Sequence, residues 1–248
     1  MTDLPWLPSS ARTRVQRAVQ SIEGALGSTV VAVMLVGPAV HPDRPDRARH
    51  PELLVIADAL APTILATLAD AIRPYMKQGV RVRTLTEQEL RSSLDAYALE
   101  IAEWKDHHVL LSGRPVLESL SISRQHLRLD LERALRGLGR RLRNRLLHTM
   151  AARSGDLDTV LLEAFERLLV VARQCLRFAG QDMPEGQRAT LEAFASYVEV
   201  DAAPLLAMLE GLRQGTKSRG AGPSEALAEL DAILQTACRV IDAAEVEA

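Results

Sequence analysis

The residues with the clearest potential for chemistry are His50 and Glu52, two positions apart where a strand is predicted to begin. Side chains at this spacing on a strand project from the same face, so both could reach one ligand. Mg²⁺ prefers oxygen ligands in near-octahedral geometry, and imidazole is a poor ligand for it. Glu52 is therefore the remaining carboxylate ligand for a hard metal at this position.

A charged, proline-rich segment precedes Glu52 and runs from His41 to His50. Its side chains include His41, Asp43 and Asp46, which together with His50 could bind a softer metal such as Zn²⁺ or Mn²⁺. The spacing of Asp43 and Asp46 does not place both on one strand face. An exposed polar loop is the commoner outcome for such a segment, and we adopt that interpretation.

Two further features suit a phosphate group. Gly37 follows an apolar strand, and a glycine turn lets the backbone approach a ligand closely. Its neighbour Pro38 has no backbone N–H to donate to a phosphate. On a later strand, Arg81 and Arg83 alternate with valines, so both arginines lie on one face, which is wet or contacts a ligand.

The first half of the chain predicts alternating helices and strands. Apolar residues at helical spacing indicate a helix at Ala11–Leu26, and Pro62 suits the first turn of another. Thr86 and Glu89 form a capping-box pattern that opens a short helix. Strands are predicted in four segments: Thr29–Val36, Glu52–Ala57, Gly79–Leu85 and Tyr97–Ile101. This order predicts helices packed on a sheet.

From Arg124 onward the pattern is helical. Leucines recur every three or four residues along one face of a long helix: Leu127, Leu131, Leu135, Leu138, Leu142 and Leu146. Four or five amphipathic helices joined by short loops predict an antiparallel bundle. The leucine stripes could be covered within the bundle or across a dimer. We therefore expect a protein partner or self-association through the bundle.

Length and composition favour two domains in a reducing compartment. A chain of 248 residues with 47% hydrophobic residues can bury two cores, and we expect domains at residues 1–120 and 121–248. Cys175 and Cys238 lie in apolar helical patterns, which favours reduced buried thiols. The sequence has no signal-peptide pattern and no apolar stretch of membrane-spanning length. These features predict a soluble cytoplasmic protein with no membrane association.

The segment Arg124–Arg145 is strongly basic, with eight arginines against Asp130 and Glu132. One interpretation is a helix whose arginines pair with carboxylates of the acidic C-terminal half, and the other is a nucleic-acid surface. No aromatic side chains are interleaved with these arginines to stack on bases. The sequence therefore favours internal pairing over nucleic-acid binding.

The order of elements in this region resembles the DNA polymerase β superfamily of nucleotidyltransferases, in particular the minimal and kanamycin-type members. The similar elements are an apolar strand, Gly37-Pro38, a loop and a second strand that begins Glu52-Leu-Leu-Val-Ile. The resemblance covers about residues 11–120, and LDAYALEIAEWKDHHVLLSG and the helical second half are also similar. It implies an α+β fold: a small mixed sheet with flanking helices, followed by an all-α antiparallel helical bundle.

The resemblance also implies a site. Family members have Gly-Ser after the first strand and Asp-x-Asp at the second, where this sequence has Gly37-Pro38, His50 and Glu52. A third carboxylate is expected on a later strand, and Glu100 is the best candidate. Because these departures remove a phosphate donor and a metal ligand, we expect a catalytically degenerate protein that binds a partner protein or a nucleotide.

The alternative is a divergent active enzyme that transfers a nucleoside monophosphate to a small molecule, a protein or RNA. It would use Mg²⁺ and a nucleoside triphosphate, with Glu52, Glu100 and, less favourably, His50 as metal ligands. Gly37 and the arginines Arg81 and Arg83 would then lie near the phosphates. This alternative requires Glu52 and Glu100 to lie at one site.

Overall fold

The computed structural model describes residues 4–40, 50–152, 157–214 and 223–244, which form two compact units, Met1–Ile122 and Ser123–Ala248. The first unit has four helices and four strands in the described residues: α1 (Ser9–Leu26), β1 (Val30–Val36), β2 (Glu52–Ala57), α2 (Pro62–Met76), β3 (Arg81–Thr86), α3 (Glu87–Ser92), α4 (Ala98–Asp106) and β4 (Val109–Gly113). A short 3₁₀ helix, Gly37–Val40, follows β1.

The strands form one mixed sheet in the order β3-β2-β1-β4. β1 is antiparallel to both β2 and β4, whereas β2 and β3 are parallel. Parallel neighbours need a crossover connection, and α2 lies in the connection between β2 and β3. The sheet therefore brings the end of β1 beside the starts of β2 and β3.

Both faces of the sheet are covered by apolar side chains. Val33, Leu35, Leu53 and Val55 lie in a cluster with residues of α1 and α2. The alternate strand residues Ala32, Met34, Leu54 and Ile56 pack in a second cluster against residues of α3 and α4: Leu90, Ile101 and Trp104. The nearly uniform apolar sequences of β1 and β2 follow from this burial on two faces.

The predicted strand at Tyr97–Ile101 is wrong, because these residues open α4. Ala98, Ile101 and Ala102 are buried and have the spacing of one helix face. The fourth strand is β4 instead, at Val109–Gly113. The mixed sheet with flanking helices is nevertheless the predicted α+β architecture.

The described residues of the second unit form helices and their connections, with no strand. Its helices are α5 (Arg124–Ala152), α6 (Leu157–Phe178), α7 (Gln187–Tyr197), α8 (Ala203–Gln214) and α9 (Pro223–Ala243). α5 packs against α6 and α9, and α6 also packs against α7.

The predicted leucine stripe of α5 is largely buried inside this bundle, at Leu127, Leu131, Leu135, Leu138 and Leu142. Cys175 and Cys238 are both buried and free, as predicted. No helix among the described residues combines the length and apolar character needed to cross a membrane.

Candidate functional site

The candidate site lies where the end of β1 meets the first residues of β2 and β3. Val36 pairs with Glu52 across the antiparallel ladder, and Glu52 pairs with Arg81 across the parallel one. Because side chains alternate along a strand, Glu52 shares a face with Leu54, which packs toward α3 and α4. Arg83, opposite Leu54 in the register, faces the same side.

Arg83 joins the two predicted carboxylates. Its Nε donates a hydrogen bond to Oε1 of Glu52, and its Nη1 donates another to Oε1 of Glu100. Glu52 comes from β2 and Glu100 from the first turn of α4, so three elements meet at one guanidinium. The Glu52 side chain is only 13% exposed, against 39% for Glu100 and 50% for Arg83.

The electrostatics of this cluster keep Arg83 charged. Partial burial by itself would lower the pKa of Arg83, but the charges of Glu52 and Glu100 and their hydrogen bonds raise it above its ordinary value. A guanidinium with two carboxylate partners forms charge-assisted hydrogen bonds, which are stronger than neutral ones. Arg83 therefore remains a fixed cation between the two acids.

Gly37 makes room for the Glu52 carboxylate. Its φ of +71° belongs to the left-handed region that favours glycine. A Cβ added at Gly37 would lie 3.3 Å from Oε2 of Glu52. The glycine turn predicted to approach a ligand therefore lies against a side chain of the site, and Pro38 follows it in the 3₁₀ helix without an N–H to donate.

The remaining predicted residues are more peripheral. Arg81 and His50 are exposed, and His50 lies in a bend immediately before β2. In the described ranges, no three His, Cys, Asp or Glu side chains form a group that could hold a metal ion, so Glu52, His50 and Glu100 do not form one. The alternative loop ligands His41, Asp43 and Asp46 lie outside the described residues.

The donor set around Glu52 does not fit Mg²⁺. A divalent cation requires several oxygen ligands, and here the two available carboxylates both bind a guanidinium. The positive charge of Arg83 between them opposes a second cation at the same position. The chemistry of these side chains is that of an internal ion pair.

An ion-pair group at the other end of the sheet, where β3 ends, was not predicted from the sequence. Glu87, the first residue of α3, accepts hydrogen bonds from Arg91 and Arg114. The Glu87–Arg91 pair has the i, i+4 spacing of a helix ion pair, a signal available in the sequence. Arg114 follows β4, and its approach to Glu87 depends on the folded sheet.

Comparison with known proteins identifies the architecture. The sequence matches no family model and no curated protein. Among solved structures, the chain is similar to spectinomycin adenyltransferase AAD(9) from Enterococcus faecialis, solved with ATP and spectinomycin, with a TM-score of 0.55. The match covers 90% of this chain and 99% of that chain at 12% sequence identity. The fold is nucleotidyltransferase-like.

This nucleotidyltransferase-like fold confirms the predicted fold class and the architecture implied by the resemblance in sequence. At 12% identity the similarity concerns the fold alone. What the site does must therefore be argued from its own residues.

Proposed function

We propose that this chain is a catalytically degenerate nucleotidyltransferase-like protein that acts by binding a nucleotide or a partner protein. The observation that carries the proposal is the guanidinium of Arg83, hydrogen-bonded to both Glu52 and Glu100. Two-metal and one-metal phosphoryl transfer both require carboxylates that are available to cations. In this chain both carboxylates already bind the guanidinium of Arg83.

Two further residues support loss of catalysis. Pro38 follows Gly37 and supplies neither a hydroxyl nor a backbone N–H for a phosphate. His50 is exposed and does not join Glu52 and Glu100 in a three-ligand group. The nucleotidyltransferase-like frame is retained, and binding of a nucleotide without transfer is consistent with these residues.

The first test measures transfer directly. We expect purified protein with Mg²⁺ or Mn²⁺ and a panel of labelled nucleoside triphosphates to transfer no nucleotide to small molecules, to itself or to RNA. Transfer that disappears in Glu52→Ala would contradict the proposal and establish the active enzyme.

The second test asks whether Arg83 excludes the metal. Arg83→Met leaves Glu52 and Glu100 without their cation, so this variant should bind Mn²⁺. A roughly hundredfold excess over the dissociation constant should raise its Tm by roughly 5 °C or more, whereas the wild-type Tm should not change. Arg81→Met removes the same charge from the same strand and serves as the matched control.

Two outcomes of the Mn²⁺ experiment would contradict metal exclusion by Arg83. Equal stabilisation of the wild type and Arg83→Met, abolished in Glu52→Gln, would mean that Arg83 yields to the metal. An equal response of Arg81→Met and Arg83→Met would mean that Mn²⁺ responds to net charge and not to this pair of carboxylates.

An active nucleotidyltransferase is the second candidate, and one observation favours it. Glu52 and Glu100 both reach a single guanidinium, so they lie at one site as that function requires. Arg83 would then have to leave the carboxylates when metal and nucleotide bind. Transfer dependent on both glutamates, together with Mn²⁺ binding by the wild type, is the result that this candidate predicts.

We also infer that the binding partner is met in a reducing compartment such as the cytoplasm. Cys175 and Cys238 are both buried as free thiols, and burial raises the pKa of each. Thiols of this kind have low reactivity because the thiolate is disfavoured.

A nucleotide screen by thermal shift separates binding of a nucleotide from binding of a partner protein, since a retained nucleotide pocket should be stabilised by its nucleotide.

A further inference from the structure

The basic helix α5 uses most of its arginines internally. Six of the eight between residues 124 and 145 have a described partner: Arg124 over the Phe178 ring, Arg128 with Asp242, Arg133 with Asp130, Arg136 with Glu132, Arg143 with Asp231, and Arg145 with Glu163. This pairing agrees with the interpretation that the helix is largely neutralised by carboxylates. It leaves Arg140 and Arg141 as the exceptions.

Arg141 lines a cavity of about 330 Å³ between α5 and α6 that is open to solvent, and Arg167 of α6 lines the same cavity; both arginine side chains are exposed. Asn144 and His148 also contribute to its wall. The lining includes one carboxylate, Glu163, whose Oε2 lies 3.2 Å from Nη2 of Arg145. Among the described residues, no carboxylate pairs with Arg141 or Arg167.

The charges of Arg141 and Arg167 are not compensated by a carboxylate of the described residues. Burial lowers the pKa of Arg141, and the neighbouring cations Arg167 and Arg140 lower it further. In contrast, the hydrogen bond from Arg136 to Glu132 raises the pKa of Arg136 on the same helix. Like charges held together without an anion destabilise the folded state, and a bound anion would reverse that cost.

A second cavity supports the choice of this one. The larger groove between α5 and α9, about 1000 Å³, is lined by more arginines, including Arg136, Arg143 and Arg239. However, Arg136 and Arg143 are already paired with Glu132 and Asp231. Arg140 and Arg239 also line the larger groove without a described carboxylate partner, so neither the number of cations nor the lack of pairing identifies the site by itself. What distinguishes the cavity between α5 and α6 is that Arg141 and Arg167, from two helices and both unpaired in the described chain, lie close enough for the charge of Arg167 to lower the pKa of Arg141.

We propose that the cavity between α5 and α6 binds the phosphate group of a small ligand through Arg141 and Arg167. Guanidinium groups bind phosphate oxygens in a bidentate manner, and two from different helices can hold one group from two sides. Asn144 and His148 supply further donors. A cavity of about 330 Å³ suits a small phosphorylated molecule, and the pairing of most α5 arginines does not favour an extended polyanion.

The experiment titrates the full chain with pyrophosphate by isothermal titration calorimetry at fixed ionic strength. We expect binding to weaken about tenfold or more in Arg141→Gln and also in Arg167→Gln, because each variant loses hydrogen bonds to a charged group. Arg188→Gln is the matched control, since Arg188 is an exposed arginine of α7 paired with Glu192. It removes the same charge and should bind pyrophosphate as the wild type does.

Thermal unfolding provides a second readout. Pyrophosphate should raise the Tm of the wild type and of Arg188→Gln but not of Arg141→Gln. Without ligand, Arg141→Gln should be at least as stable as the wild type, because it relieves repulsion from Arg167. Equal loss of affinity in Arg188→Gln, or none in Arg141→Gln and Arg167→Gln, would overturn the proposal.

ATP and a short single-stranded oligonucleotide distinguish the sources of the phosphate. Competition by ATP for the Arg141-dependent site would support a nucleotide or similar metabolite. Oligonucleotide binding that falls steeply with salt and weakens equally in Arg141→Gln and Arg188→Gln would indicate a diffuse nucleic-acid surface and overturn the proposal. The variants lie in α5, α6 and α7, so a negative result in this experiment does not bear on the function proposed for the Glu52 site.

Discussion

Glu87, at the end of β3 away from the candidate site, is a residue whose titration should be visible in stability. Its side chain is 17% exposed and accepts hydrogen bonds from Arg91 and Arg114. The hydrogen bond from Arg91 lowers the pKa of Glu87, burial opposes this shift, and the charge of Arg114 adds to it. Because the folded pKa is depressed, the stabilisation is present above the unfolded pKa and is lost as the pH falls through the folded value.

Glu87→Gln should therefore cost a few tenths to about 1 kcal/mol near neutral pH, the range of partly exposed ion pairs. The difference from the wild type should shrink in acid, where the wild-type carboxyl is protonated. Urea unfolding at about pH 7 and about pH 3 measures both values. Glu118→Gln, at an exposed residue for which no ion pair is described, is the control; a cost independent of pH would contradict the assignment.

Sequence patterns predicted which site residues share a strand face, but they did not predict which of these residues form ion pairs. Alternation predicted Arg81 and Arg83 on one side of a strand, and the structure has them there. In the register Glu52 lies opposite Arg81, yet Arg83 forms the ion pair. That choice depends on Glu100, which α4 brings from a distant part of the sequence, so no local pattern contains it.

At the scale of single elements, the start of α3 is fixed by a capping box. Thr86 Oγ1 accepts a hydrogen bond from the Glu89 N–H at 3.0 Å, and the Thr86 N–H donates to Glu89 Oε2 at 2.7 Å. These bonds satisfy N–H groups that have no partner within the helix. The pattern of Thr followed three residues later by Glu predicted this start, and the structure confirms it.

Thr86→Ala should destabilise the protein by about 1 kcal/mol, because it removes the N-cap acceptor. Thr67→Ala is the matched control: Thr67 is exposed in the interior of α2, and its hydroxyl donates to the Thr63 carbonyl. Alanine has the higher helix propensity there, so the control should be neutral or slightly stabilising. Equal losses in chemical denaturation would show that the cap contributes nothing specific.

Elements were predictable where the apolar period was long, as in α1 and the leucine stripe of α5. The short segment Tyr97–Ile101 was not, because Tyr97, Leu99 and Ile101 alternate like a strand while Ala98, Ile101 and Ala102 fit a helix. Packing against the sheet decided between them: Ala98, Ile101 and Ala102 are buried in α4. The apolar residues of a short segment can fit both the helical and the strand periodicity, and only tertiary contacts then select one structure.

At the scale of the whole molecule, each unit has the features of an independently folding domain. In Met1–Ile122 the apolar clusters on the two sheet faces are built from residues of that unit alone. In Ser123–Ala248 the buried leucines of α5 lie among helices of the same unit, with α6 and α9 as neighbours. We therefore propose that the predicted domains, residues 1–120 and 121–248, fold separately.

Fragments 1–122 and 123–248 should each unfold cooperatively on heating, the first with mixed and the second with helical circular dichroism. A fragment ending at residue 107 is the control, because it lacks β4 and leaves the β1 edge that pairs with Val109–Gly113 uncovered. That control should show no cooperative transition, whereas 1–122 should. If 1–122 also melts without cooperativity, its core requires the second unit, and the two-domain interpretation is wrong.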